Sequence, residues 1–352
     1  MTTTSSAPSV SDGSAGGVVR LARVISAAGG GRILSLLALT VLAWLAFALL
    51  GRGFLSSFTL YALTQAVAIG AVVGFAQAAL LVLGRINLAV GGVGVVVSAL
   101  VGLLDNYTNL PLLWIVVLAI GTGAVAGAIM ALVEIKSGLN SFVVTLAFLS
   151  VYQGGVLLLT QAAHYQINIP QLLSIGNDPI GLPWLSPLLI IAVVAAALLW
   201  VFYFRTVPGW KSRAVGANQR AAEASGINAP RIVLLGYVVS GALSAVAAIM
   251  VTAQLADSSP TTGGDWLLLS FVGPLLAGVL LTGGTISIWG IVVGALFYGS
   301  IFSGFAVLNV PTYWLTLLQA VVLLVALVLG QAKIRRRRRQ SSPRLSTPGV
   351  TP

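Results

Sequence analysis

The side chains that could do chemistry are few in this sequence and lie far apart. His164 is the only histidine, cysteine is absent, and seven residues are Asp or Glu. No two carboxylates fall together inside an apolar stretch, so neither an acid–base pair nor a metal site is expected, and no cofactor is implied. None of the lysines follows the Gly-x-x-x-x-Gly pattern of a phosphate-cradling loop. Gly121-Thr-Gly123 lies within an apolar run rather than after a strand, which removes the dinucleotide fingerprint. One segment does combine functional residue types at a telling spacing. It runs Arg205-Thr-Val-Pro-Gly-Trp-Lys-Ser-Arg-Ala214-Val-Gly216-Ala-Asn218-Gln-Arg-Ala221-Ala222-Glu-Ala-Ser225-Gly226-Ile227-Asn228. Asn218 is a good helix N-cap, the residues after it are helix formers, and Gly226 suits the left-handed position that ends a helix, with Ile227 packing back on the last turn. The spacing predicts a short, rigid surface helix of about seven residues, about 10 Å long, framed by Pro208 and Pro230 and suited to a groove on a partner protein.

The elements that must hold this segment are membrane spans. The chain has 352 residues, 58% hydrophobic and 7% charged, with mean hydropathy +1.04. A soluble surface needs about 25% charged residues. A span needs about 20 mostly apolar residues, and runs that qualify occur near 33–50, 59–82, 88–104, 110–133, 141–160, 186–204, 232–254, 267–282, 286–307 and 312–330. The expected fold is therefore all-α, a polytopic membrane protein of about ten spans. Residues 1–31 form a polar N-terminal tail, 32–332 the membrane domain, and 333–352 a basic C-terminal tail. With both termini cytoplasmic, seventeen of the eighteen Lys and Arg residues fall inside and only Arg52 outside, as the positive-inside rule requires. His164 falls outside with Asp105, Asp178, Asp257 and Asp265. The net charge of +11 comes largely from the Arg335–Arg339 run and similar clusters beside the spans. It points to anionic lipid rather than nucleic acid.

Small-xxx-small pairs at Gly70/Gly74, Gly123/Gly127 and Gly290/Gly294 predict close helix–helix packing within the fold. Leu81–Gly91 and Leu280–Gly290 each place two glycines seven apart between spans, a faint internal repeat of a kind common in transporters. The spans hold almost no ionisable group of the sort that couples a carrier to protons or sodium, so transport would draw its energy from elsewhere.

The Ala-Val-Gly-x-Asn-x-x-Ala-Ala-x-x-Ser-Gly-Ile stretch closely resembles the cytoplasmic coupling segment of ABC permeases of the ribose/monosaccharide type. Three further stretches agree with that resemblance: Ser141-Phe-Val-Val-Thr145-Leu through Gly154, Gly283-Gly284 with Gly290, and Gly304 through Tyr313-Trp314. The likeness covers roughly residues 60–330. The chain departs at Gly84-Arg85-Ile86-Asn87-Leu88, where the family has Gly-Gly-Ile-Asp-Leu, and at Gly273-Pro-Leu-Leu-Ala-Gly278.

The resemblance implies a permease subunit of a binding-protein-dependent importer in a prokaryotic cytoplasmic membrane, itself no enzyme. Its partners would be ABC ATPase subunits, a second copy or a homologous permease, and an extracytoplasmic solute-binding protein. Coupling to the ATPase would fall to Ala214, Gly216, Asn218, Ala221, Ala222, Ser225, Gly226 and Ile227. Asn87, Thr145, Tyr152, Gln153 and Gln161 are candidates for the translocation path, with ordinary interhelical hydrogen bonding as the alternative role. A monosaccharide is the expected solute. A nucleoside, a branched-chain amino acid or a signal molecule on the same architecture, and a stand-alone secondary carrier, remain alternatives.

Overall fold

The computed structural model describes residues 30–51, 53–279, 281–311, 313–321 and 324. Residues 1–29 of the expected N-terminal tail, the C-terminal tail and the Arg335–Arg339 run fall outside those residues, and Gly30 and Gly31 belong to a helix rather than to the tail. The helices are α1 (Gly30–Leu50), α2 (Ser57–Leu81), α3 (Val90–Tyr107), α4 (Leu112–Ser137), α5 (Ser141–Thr160), α6 (Pro170–Asn177), α7 (Pro187–Arg205), α8 (Val207–Ala217), α9 (Gln219–Ala224), α10 (Ala229–Leu255), α11 (Trp266–Leu276) and α12 (Ile288–Val307). Eight of them (α1 to α5, α7, α10 and α12) are long and apolar enough to cross a membrane, and they coincide with eight of the ten expected spans.

The remaining two behave differently. The stretch at 267–282 yields only the 11-residue α11, about 16 Å long and half the hydrocarbon thickness. Pro274 lies within it, and Gly278 ends it with φ +77°. Its last turn closes through Val279 N–H to Pro274 O and Gly278 N–H to Leu275 O, both 2.9 Å, the Schellman pattern that glycine at this position permits. The span expected at 312–330 is helical at 313–321, and most of its remainder lies outside the described residues. The outer segment between α5 and α7 carries α6 and a two-residue strand β1 (Tyr165–Gln166), antiparallel to β2 (Asp257–Ser258). This is the one departure from an all-helical reading among the described residues.

α2 and α10 form the centre. α2 is apolar on every side and buried almost continuously from Leu63 to Leu81, as expected of a helix surrounded by others. α10 packs on α4 at backbone distance. A Cβ on Gly123 would lie 2.5 Å from Gly241 O, and one on Gly127 or Gly241 would overlap the carbonyl oxygen of Tyr237 or Gly123. α12 meets α11 through Gly294, 2.8 Å from Gly273 O on the same construction, and α2 meets α12 through Gly74, 3.0 Å from Ile291 Cγ2. Gly74, Gly123, Gly127, Gly290 and Gly294 thus serve packing inside the fold, whereas a Cβ on Gly70 would meet only Ala295 Cβ at 3.9 Å. α1 and α5, by contrast, expose leucines, valines and phenylalanine along most of their length.

Charge is segregated by end. Arg85, Lys136, Arg205, Lys211, Arg213, Arg220 and Arg231 lie at or beyond the end of the bundle formed by the α2–α3 turn and α8–α9. Asp105 accepts from Asn168 N–H (2.6 Å) and Asp257 meets His164 at the other end, beside the β1–β2 ribbon.

Replacing Gly241 by Val should cost about 3 kcal/mol or more through overpacking against α4 and lower the thermal midpoint of the detergent-solubilised protein. Gly121→Ala, where a Cβ meets nothing within 4 Å, should be neutral or stabilising by about 0.5 kcal/mol. Unfolding followed by size-exclusion fluorescence distinguishes the two.

Candidate functional site

The segment singled out by its spacing folds as expected, one residue shorter. α8 is capped by Thr206, whose hydroxyl accepts from Gly209 N–H, and ends at Asn218. The Asn218 side chain then caps α9 by accepting from Ala221 N–H at 3.1 Å. Gly226 has φ +82°. Ile227 N–H donates to Ala222 O (3.0 Å) and Gly226 N–H to Glu223 O (2.9 Å), closing α9 with a Schellman turn, and Ile227 and Ala222 are both buried. Ser225 Oγ donates to Ala221 O. Gln219, Arg220, Ala221 and Glu223 stay exposed, so α9 offers a polar outer face on a locked frame.

What fixes this frame to the bundle is a junction of three backbones. The turn after α2 is a third Schellman closure, with Arg85 N–H to Leu80 O and Gly84 N–H to Leu81 O and Gly84 at φ +72°. Gly284 N–H donates to Val82 O at 2.8 Å, joining this turn to the connection between α11 and α12. A Cβ on Gly216 would overlap Val82 O and lie 2.7 Å from Gly284 N; one on Gly283 would lie 2.6 Å from Gly84 N and 2.8 Å from Gly216 O. The two stretches of the faint repeat therefore touch each other, and the end of α8 is wedged against both. Their glycines are not equivalent, however. The counterpart of Gly84 as helix terminator is Gly278, because the second connection continues five residues further before Gly283.

Beside the junction lies a network with no counterpart in the sequence reading. Arg85 Nε donates to Glu134 Oε1 at 2.5 Å, and Tyr237 O–H donates to Glu134 Oε2. Glu134, Tyr237 and most of Arg85 are buried. The network ties the α2–α3 turn to α4 and α10. α4 runs past the expected boundary at 133 to Ser137, carrying Glu134 inside. The Arg at a position where the resembled family has Gly was the available signal.

The five candidates for the path do not converge. Asn87 is fully buried; its Nδ2 donates to Ser240 Oγ (2.9 Å) and its Oδ1 accepts from Ala89 N–H (2.9 Å) at the start of α3. Thr145 is also fully buried, accepting from Leu88 N–H (3.0 Å) and donating to Ser141 O (2.8 Å). Tyr152 O–H donates to Ala126 O at 2.8 Å. Gln153 is half-buried on α5, and Gln161 is exposed with φ +52°. The cavity instead opens at the opposite end of α2 and α10 from the junction. It encloses about 490 Å³ between Ala66–Gly70 of α2, Gln254 of α10, the 257–265 connection, α11 and Tyr298–Phe302 of α12. His164 Nδ1 lies 3.1 Å from Asp257 Oδ2 at its edge. Asp265, which precedes α11, lines this space; it keeps an exposed surface, and the protein atoms packed around it raise its carboxyl above the ordinary range. The polar run Asp257-Ser-Ser-Pro-Thr-Thr-Gly-Gly-Asp265 between two apolar stretches was the sequence signal for it.

A helical bundle with a polar cavity at one end, and at the other a capped helix locked to the turns beneath it, is the architecture of a multi-pass membrane permease. The chain belongs to the family described as the branched-chain amino acid transport system / permease component, which matches residues 80–327. It is 29% identical to the fructose import permease protein of Rhizobium meliloti over 298 residues, 83% of each chain. It is 28% identical to the ribose import permease protein of Escherichia coli K12 over 309 residues, 85% of this chain and 93% of that one. Against the galactofuranose transporter permease protein of the same strain the identity is 31% over 264 residues, 72% of this chain and 76% of the other. No solved structure matches.

Arg85→Leu should destabilise the protein by about 3 kcal/mol, because it strands a buried carboxylate. The double variant Arg85→Leu/Glu134→Leu should recover most of that loss. A double-mutant cycle on thermal unfolding reads the difference.

Proposed function

We propose that this chain is the membrane-spanning subunit of an ABC importer for a monosaccharide, powered by separate ATPase subunits and supplied by an extracytoplasmic binding protein, with a second permease completing the channel. The observation that carries the reading is the α8–α9 segment. Its outer face is free for a partner, while its inner end bears on both inter-span turns at once through Gly216. A push on α9 has no side chain to bend before it reaches the backbone of α2 and the α11–α12 connection. α2 and α10 then lead from that junction to the cavity. From Val82 to Gly70 is twelve residues, about 18 Å of helix. In this scheme Ala214 to Ile227 transmit the stroke. Asn87 and Thr145 are binders of backbone at the α3 start, and they hold the turn's shape.

The relatives carry ribose, fructose and galactofuranose in their names, which favours a sugar over the amino acid of the family description. The spans hold no chain of ionisable groups that a coupled secondary carrier would use.

Cells expressing the chain with its ATPase and binding protein should accumulate labelled sugar. Gly226→Pro forces φ near −65° where the backbone needs +82° and should abolish uptake while membrane insertion persists. Gly216→Val should give the same loss with ATP hydrolysis retained. Undiminished uptake in both variants would refute the coupling role.

A further inference from the structure

We infer that the end of α7 and the adjoining face of α8 form a binding site for the headgroup of one anionic phospholipid, with Arg205 and Arg213 as its phosphate-binding groups. The site lies outside the coupling helix α9 and does not depend on which solute is carried.

Arg205 Cζ lies 5.3 Å from the centre of the Trp200 ring, and Arg213 Cζ lies 4.9 Å from that of Phe204. The two rings are neighbours on α7, with centres 6.2 Å apart. Both guanidinium groups are thus held by their flat faces, which leaves the N–H groups on their edges for a bidentate acceptor such as phosphate. Arg213 Nε is enclosed without an acceptor. The corner that carries these groups is stiff: Thr206 O–H donates to Phe202 O at 2.6 Å, and a Cβ on Gly209 would overlap that same oxygen. Lys211 adds a third cation on α8. Among the described residues the ion pairs are Arg85–Glu134 and His164–Asp257, so these three cations meet no carboxylate. Glu134 is engaged by Arg85 and Tyr237, and Glu223 by Gln219.

The apolar surface below the cations fits the rest of a lipid. Val194, Leu198, Val201 and Phe204 follow one another along α7 at intervals of three and four residues, and all are exposed. They form one unbroken stripe that leads to the two arginines. From Val194 to Phe204 is about 15 Å of helix, half of the hydrocarbon thickness of about 30 Å and so the depth of one leaflet. An acyl chain laid along the stripe brings its phosphate to the guanidinium edges. Val207 and Trp210, exposed on α8, suit the interfacial zone beside it. With three cations and no unengaged carboxylate, the site favours a headgroup of net negative charge, such as phosphatidylglycerol. The ammonium group of phosphatidylethanolamine would find no partner there.

Native mass spectrometry of the full-length chain in detergent, titrated with phosphatidylglycerol or phosphatidylethanolamine, tests the site. The parent should retain one phosphatidylglycerol at collision energies that strip phosphatidylethanolamine. Arg205→Gln/Arg213→Gln should weaken that adduct about thirtyfold, for two cations lost at the membrane surface. Phe204→Leu keeps every charge but removes one stacking face, and should weaken it about threefold; this variant carries the test if the double variant does not fold. Arg220→Gln/Arg231→Gln removes the same charge from the same end of the bundle and should leave the adduct unchanged. Equal retention of the two lipids by the parent, an equal loss in both charge variants, or an undiminished adduct in Phe204→Leu refutes the site. Displacement of the lipid by glycerol phosphate at equal concentration would make this a site for free phosphate groups and overturn the lipid assignment. Undiminished retention in Arg205→Gln/Arg213→Gln, with binding of the ATPase subunits lost, would make the patch a protein contact instead.

Discussion

Three backbones meet at Val82, Gly216 and Gly284 with no side chain between them, and the rest of the molecule is arranged around that approach. Side chains are soft because they change rotamer, whereas carbonyl-to-amide contacts at hydrogen-bond distance yield only by moving whole elements. The Gly284 N–H to Val82 O bond of 2.8 Å closes the contact between the two turns. Adding one methyl group at Gly216 would force them apart. The Asn218 cap and the Gly226 turn hold α9 as a rigid extension of that point. Everything on the membrane side follows from which helices the turns belong to.

The Arg85–Glu134–Tyr237 network steadies the junction from the flank. An ion pair this buried gains little net stability against apolar packing of equal volume. Its value here is positional, because it anchors the α2–α3 turn to α4 and α10 from a direction the backbone contacts leave open. α4 and α10 in turn are joined by Gly123, Gly127 and Gly241. The turn is thus fixed to a helix pair that behaves as one body.

What was legible in the sequence was local chemistry. Asn218 and Gly226 announce the two ends of α9 because capping depends on residues within a few positions of each other. Eight spans were legible because hydropathy over about 20 residues decides them. α11 was misjudged in length because hydropathy does not register a helix ended by a left-handed glycine at Gly278. The cavity was invisible because it joins Ala66–Gly70, Gln254–Asp265 and Tyr298–Phe302, which no local pattern connects. Asn87 and Thr145 attracted notice as polar residues in apolar surroundings. They satisfy backbone N–H groups at Ala89 and Leu88, a duty that looks the same in sequence as lining a path. The same limit hid Glu134 as the partner of Arg85, 49 residues away.

The end-to-end segregation of charge has an electrical consequence. A unit charge moved through 100 mV exchanges about 2.3 kcal/mol with the membrane field. Within the bundle the Arg85–Glu134 pair would travel as a neutral unit, and the other Lys and Arg among the described residues lie at one end. A rearrangement of the bundle that carries this pair along therefore shifts almost no charge across the bilayer.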